Sequence, residues 1–219
     1  MTAATPDMCA FCFDCLLAAL LRRSAPALPQ FATQGRFPLF VTFENDVEPD
    51  EAPVLRGCIG CLSPIELSEL RHYAHSAAFL DERFAPMELS DLAPKRGSTL
   101  FCKVSLLYGY QQARSVFDFE LGTHGIVIDF DIDGDSAAVQ HFNATFLPEI
   151  APEQGWDKQQ TVLNLVRKTG FTGLIDEKLL GSIHLTTYRS SCCRLSYPAY
   201  QRCRPNCQPP APLPFLVET

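Results

Sequence analysis

"LRGCIGCL", residues 55–62, sets two cysteines three apart among glycines, and its reading decides what kind of fold the chain has. If Cys58 and Cys61 are a dithiol or half of a zinc site, a small redox or metal-stapled fold follows. If the stretch is a glycine-interrupted strand, an ordinary packed domain follows. A thioredoxin-like dithiol needs its first thiol at a helix N-terminus, where the positive end of the macrodipole lowers the thiol pKa. The nearest helix start legible in the sequence lies downstream. Ser63-Pro64-Ile65-Glu66 combines an N-cap serine, a proline at the first helical position and a glutamate at N3. Cys58 therefore falls five residues before the predicted N-cap, inside a strand. A zinc knuckle needs a second ligand pair, and no CxxC or HxxxH in a suitable loop context follows. The stretch reads as a strand whose glycines mark a bulge or a close approach to the backbone.

Outward from it, "PLFVTF" (38–43) is a short buried strand, separated from "VLRGCIGCL" by the polar loop "ENDVEPDEAP"; the two make a hairpin-like pair. The helix predicted from Ser63 carries Ile65, Leu67, Leu70, Ala74, Ala77 and Ala78 as a core-facing stripe. "TLFCKVSLLYGY" (99–110) is the clearest strand, and "GIVIDFDID" (125–133) and "HFNATFLPEI" (141–150) are two more, joined by the turn Asp133-Gly134-Asp135. Asp157 caps a further helix with Gln160 at N3; Val162, Leu163 and Val166 face inward, and Gly170 ends it. "IHLTTY" (183–188) is a returning strand. Residues 7–23 form an amino-terminal helix with Cys9, Cys12, Phe13, Leu16 and Leu20 in one apolar arc and Cys15 at its edge. Strands and helices interleave without a βαβ rhythm. The predicted class is α+β: a mainly antiparallel sheet flanked by helices, with a smaller mid-chain sub-domain at roughly 85–150. Residues 204–219 are a proline-rich tail.

At 219 residues and 47% hydrophobic, the chain can bury one sizeable core or two small ones. A net charge of −7 argues against non-specific binding to nucleic acid or anionic membrane. The exception is local: Arg189, Arg194, Arg202 and Arg204 stand in an acid-free stretch and form a weak candidate edge for nucleic acid. The longest apolar run, Leu16–Leu21, is far short of a membrane span, and the first residues lack the basic region of a signal peptide. A cytoplasmic or nuclear location is expected, so the ten cysteines are read first as reduced thiols. Cys9, Cys12 and Cys15 sweep roughly 120° of a helix, too broad to turn toward one ion. No metal and no cofactor is expected.

The candidate chemistry centres on Cys58. Arg56 beside it favours thiolate if it points the same way, and Gly57 and Gly60 open the backbone to a ligand. A nucleophilic thiol needs a base. Of five histidines, His72 and His75 lie on a predicted helix surface, and His141 and His184 sit in strands without a companion motif. His124 stands beside a glycine at the entry to a strand, in "LGTHGIVIDF", either as the base or as a turn cap. Among Glu149, Glu153 and Asp157, the last serves as N-cap, which leaves Glu153 as the better orienting acid. A Cys–His pair with a third group suffices for acyl or related group transfer.

Three of these segments, "LRGCIG" (55–60), "GTHGI" (122–126) and "LPEIAPEQGWD" (147–157), together resemble the signature stretches of the AMMECR-one domain family. The opening "MCAFCFDCL", "PLFVTF", "RFAPM" (83–87), "LFCKVSLL" and "YRS" (188–190) resemble it in the same order, so the likeness covers roughly residues 7–203. The resemblance implies two α+β sub-domains, the larger holding both termini. It implies no established reaction; an enzymatic or regulatory role, on nucleic acid or a nucleotide, has been associated with the hexapeptide. It also implies Memo-like or radical-SAM partners, to which the domain is fused in some microbial proteins. Position 61, cysteine here, is commonly threonine in the family. Two functions stand open. One is an enzyme acting on a small-molecule or nucleotide-like substrate through Cys58, His124 and Glu153, with Arg56, Gly57, Gly60 and Trp156 binding. The other is a non-catalytic binding or adaptor module in which the hexapeptide shapes a groove for a partner.

Overall fold

The computed structural model describes residues 3–33, 35–46, 53–93, 98–133 and 139–204. In chain order they form α1 (Pro6–Leu20), β1 (Arg36–Asp46), β2 (Val54–Glu66), α2 (Leu70–Phe79), β3 (Thr99–Gln112), β4 (Gly125–Asp133), β5 (Val139–Phe146), α3 (Ile150–Glu153), α4 (Lys158–Lys168), α5 (Glu177–Ser182), β6 (His184–Ser196) and α6 (Tyr197–Cys203). The strands are hydrogen-bonded in the order β2-β1-β3-β6-β4-β5. β1 pairs antiparallel with β2 and β3, and β4 with β5 and β6. The fold is α+β, as the sequence predicts, and "PLFVTF" and "VLRGCIGCL" are indeed neighbouring antiparallel strands.

The chain divides into two compact units, Met1–Leu106 with Cys192–Thr219, and Leu107–Ser191. In the first, alternate residues of β1 (Leu39, Val41, Phe43) and β3 (Cys102, Val104, Leu106) face one layer made by α1, α2 and α6. Phe13 of α1 packs against Phe43, Tyr197 and Tyr200, and the Tyr200 hydroxyl hydrogen-bonds Asp14 at 2.7 Å. In the second unit, Ile126, Ile128 and Phe130 of β4 pack on Val162, Leu165 and Val166 of α4. Phe130, Phe142 and Phe171 form an aromatic cluster there.

Three local expectations are corrected. The helix predicted from Ser63 begins later, at Leu70, after a 3-10 turn over Leu67–Glu69. Ser63 and Pro64 remain in β2 because the strand keeps pairing with β1, Phe37 opposite Ile65 and Arg36 opposite Glu66. The Arg36 side chain reinforces that register, donating to the Pro64 carbonyl at 3.1 Å and lying 3.5 Å from the Glu66 carboxylate. β2 is an edge strand, where proline's missing N–H costs no ladder bond. In α4 the inward residues are Val162, Leu165 and Val166, while Leu163 is 37% exposed. β5 stops at Phe146, and the residues after it turn into the short α3. Asp133 ends β4, and the rest of the turn predicted over Asp133–Asp135 and the tail beyond Arg204 lie outside the described residues. Among the described residues no helix is long and apolar enough to cross a membrane.

Candidate functional site

Side chains alternate between the two faces of a strand, and the register of β2 on β1 assigns each residue of the hexapeptide to a face. Ile59 opposes Val41 and Cys61 opposes Leu39, both partners being core residues of the helix-covered face. Cys58 opposes Thr42 on the other face. Cys58 and Cys61 thus stand on opposite sides of the sheet, and the pair is not a dithiol. The Thr42 hydroxyl donates to Cys58 Sγ at 3.2 Å, whereas Cys61 Sγ accepts from the backbone of Ser63 at 3.4 Å.

Because β2 is the sheet edge, the peptide groups of Cys58 that turn away from β1 need other partners. Asp81 and Arg83, just past the end of α2, supply them. The Cys58 N–H donates to Asp81 Oδ2 at 2.8 Å, and its carbonyl accepts from Arg83 Nη2 at 3.1 Å. Arg83 in turn grips the Asp81 carboxylate through Nε (2.8 Å) and Nη2 (2.7 Å). The Asp81 side chain is only 5% exposed. Its hydrogen-bonded pairing with Arg83, helped by the Cys58 amide, outweighs burial and holds its pKa at about 2. Asp81 raises the Arg83 pKa, and the charge of an ionised Cys58 adds to the effect.

The remaining hexapeptide residues are fixed as closely. Arg56 donates to both oxygens of Asp91 (3.2 and 3.0 Å) and to the carbonyls of Ala85 (2.8 Å) and Pro86 (3.3 Å). Its guanidinium holds segment 85–91 along the strand. The cation beside Cys58 is Arg83. Gly57 faces the backbone of α2, and a Cβ there would run into the Ala77 carbonyl oxygen. A Cβ at Gly60 would run into the Phe40 ring and stand 2.5 Å from the Leu39 carbonyl oxygen.

The face that carries Cys58 continues across the sheet as a buried polar row. Thr42 opposes Lys103 of β3. Lys103 lies 3.3 Å from Glu44, which also takes Arg194 at 2.6 Å. The Arg194 guanidinium covers the Phe101 ring at 3.5 Å and pairs with Asp46. Of the four arginines of the predicted basic edge, Arg194 is therefore neutralised by acids from β1, and Arg204 lies 3.6 Å from Asp14.

His124, Glu153 and Trp156 belong to the second unit, whereas Arg56, Gly57, Cys58 and Gly60 belong to the first. His124 Nδ1 accepts the Glu120 N–H at 3.1 Å, which closes the turn before β4. Glu153 ends α3 and is exposed. Trp156 packs its ring on Phe146 with centroids 5.6 Å apart. Asp157 forms the predicted capping box with Gln160. The sequence reading missed Thr42, Asp81, Arg83 and Asp91. A signal for two of them was present: an acid and an arginine two apart in "DERFAPM", directly after the helix. Among the described residues no group of three His, Cys, Asp or Glu side chains could hold a metal ion. Cys9, Cys12 and Cys15 are buried in the first core, and Cys9 Sγ donates to the Cys193 carbonyl at 3.2 Å.

The fold and the clamped hexapeptide define an α+β protein organised around a glycine-bearing edge strand. The sequence profile of the AMMECR1 family matches residues 9–193, and the chain belongs to that family. An uncharacterized protein of Arabidopsis thaliana is 36% identical over 201 residues, covering 91% of this chain and 89% of its own. One from Schizosaccharomyces pombe is 33% identical over 196 residues, covering 89% and 94%. The crystal structure of the uncharacterized protein PH0010 from Pyrococcus horikoshii superposes with a TM-score of 0.68 over 86% of this chain and 89% of that one. At 19% identity that likeness shows the shared fold.

Proposed function

We propose that the protein is a non-catalytic binding or adaptor module whose LRGCIG strand is a rigid platform for a partner. The observation that carries this is the clamp on the edge strand: the Asp81–Arg83 pair holds both peptide groups of Cys58, and Arg56 fastens segment 85–91 beside it. Four other residues of the hexapeptide then have geometric tasks. Arg56 is the fastener, Gly57 admits α2, Ile59 packs against the core and Gly60 admits the Phe40 ring. Such preorganisation reduces the conformational entropy lost when a partner docks. The described cysteines include nine free thiols, which suits a module working in the reducing cytoplasm or nucleus.

A second reading has its own support. The Thr42 hydroxyl donates to the Cys58 sulfur and the Arg83 guanidinium sits on the carbonyl of the same residue, and a donor with a nearby guanidinium stabilises thiolate. Cys58 would then be the nucleophile toward a small-molecule or nucleotide-like substrate. Replacing the thiol in cells separates the two. Where loss of the gene gives a measurable defect, the Cys58→Ser protein restores the wild-type state if the strand is a platform. It fails to do so, while remaining folded, if the thiol performs chemistry.

A further inference from the structure

We propose that the first unit carries a binding site for a small organic carboxylate, an anion with an apolar body, between the end of α1, the connection after it and α2. A cavity of about 380 Å³ lies there, within the size range of small-molecule pockets. Its apolar walls are Ala18, Ala19 and Pro26, and its polar groups are Arg23, Arg71, His72 and His75. Among the described residues no acidic side chain lines it. The charge is one-sided, and the apolar walls match a hydrocarbon body better than a bare, strongly hydrated phosphate.

Arg71 is the group that points to an anion. One terminal nitrogen of its guanidinium is fixed on the Pro26 carbonyl, which holds the side chain in place at the cavity. Its Nε is buried and has no hydrogen-bond acceptor among the described residues. A guanidinium held beside apolar walls, with no acidic side chain among the described lining residues, favours an anion, and a carboxylate is the planar partner that suits it best. The neighbouring Cys15, whose side chain meets the Arg71 guanidinium, is no rival anion, since burial pushes its thiol up to about 12. Arg23, exposed at the rim, adds a second positive charge, and the adjacent imidazoles of His72 and His75 offer further donors. The site is separate from the hexapeptide face and stands or falls independently of the function proposed above.

The test is titration of the full chain by calorimetry with sodium hexanoate, its neutral analogue hexanamide, and inorganic phosphate, each against wild type, Arg71→Met and Arg23→Gln. Arg71→Met keeps the bulk and removes the donor; Arg23→Gln alters an exposed side chain and leaves the fold intact. The expected result is saturable binding of hexanoate, with hexanamide and phosphate at least tenfold weaker. Arg71→Met should weaken hexanoate tenfold or more, and Arg23→Gln severalfold. Equal binding of hexanoate and hexanamide, phosphate tighter than hexanoate, no hexanoate binding at all, or unchanged affinity in both variants would each overturn the proposal.

Discussion

At Gly57 the constraint is steric and local. The backbone of α2 lies where a side chain would begin, and a carbonyl in a packed helix cannot swing aside as a ring can. Gly57→Ala should cost about 3 kcal/mol of stability, as overpacking of a tight core does. A urea denaturation midpoint within error of wild type would contradict that contact. At Asp81 the constraint is electrostatic. Its folded pKa of about 2 lies below the ordinary carboxylate value of 3.8, so the folded state favours the ionised form. The stability this confers is fully present above about pH 4 and is lost as pH falls toward 2. Asp81→Asn should therefore be less stable than wild type by about 2 kcal/mol at pH 7, and the gap should close between pH 4 and pH 2. Parallel denaturation curves with a pH-independent gap would remove the charge from the account. Sequence reasoning located Gly57 and Cys58 because their types are unusual in a strand. It missed Asp81 because the partner of an edge-strand amide is set by where a distant turn lands.

Element boundaries show why some signals were legible and others misled. The capping box Asp157–Gln160 and the α4 stop at Gly170, where φ is +88°, are local chemistry and stand where the sequence puts them. Ser63-Pro64-Ile65-Glu66 carries an equally strong helix-start pattern, yet it remains strand. Pairing with β1 and the Arg36 contacts override a local preference there, and the pattern itself contains no trace of that partner. The same tertiary context extends β6 well past the "IHLTTY" visible in the sequence, to Ser196. A paired substitution tests the distinction. Asp157→Ala should lower stability by about 1 kcal/mol as a lost cap, while Ser63→Ala, which removes no cap, should change it by less than about 0.5 kcal/mol. Equal losses in thermal or urea unfolding would mean that Ser63 caps a helix after all.

For the molecule as a whole, the antiparallel α+β class was readable because alternating strands and capped helices announce themselves in short windows. The strand order was not readable, since β2 and β5 become edges only through pairings between segments far apart in sequence. Edge position is what gives the hexapeptide its character. A strand with a free side needs the Asp81–Arg83 clamp, and the clamp turns a cysteine between two glycines into part of a fixed surface. The same placement answers whether the two cysteines act together, because strand alternation sends Cys58 and Cys61 to opposite faces. The most direct measurement is the rate at which iodoacetamide labels each thiol of the native protein near neutral pH, followed by peptide mass spectrometry. If the strand is a clamped platform, Cys58 labels no faster than the exposed Cys192 and Cys203. Labelling of Cys58 tenfold or more ahead of both would contradict that account and establish an activated thiol.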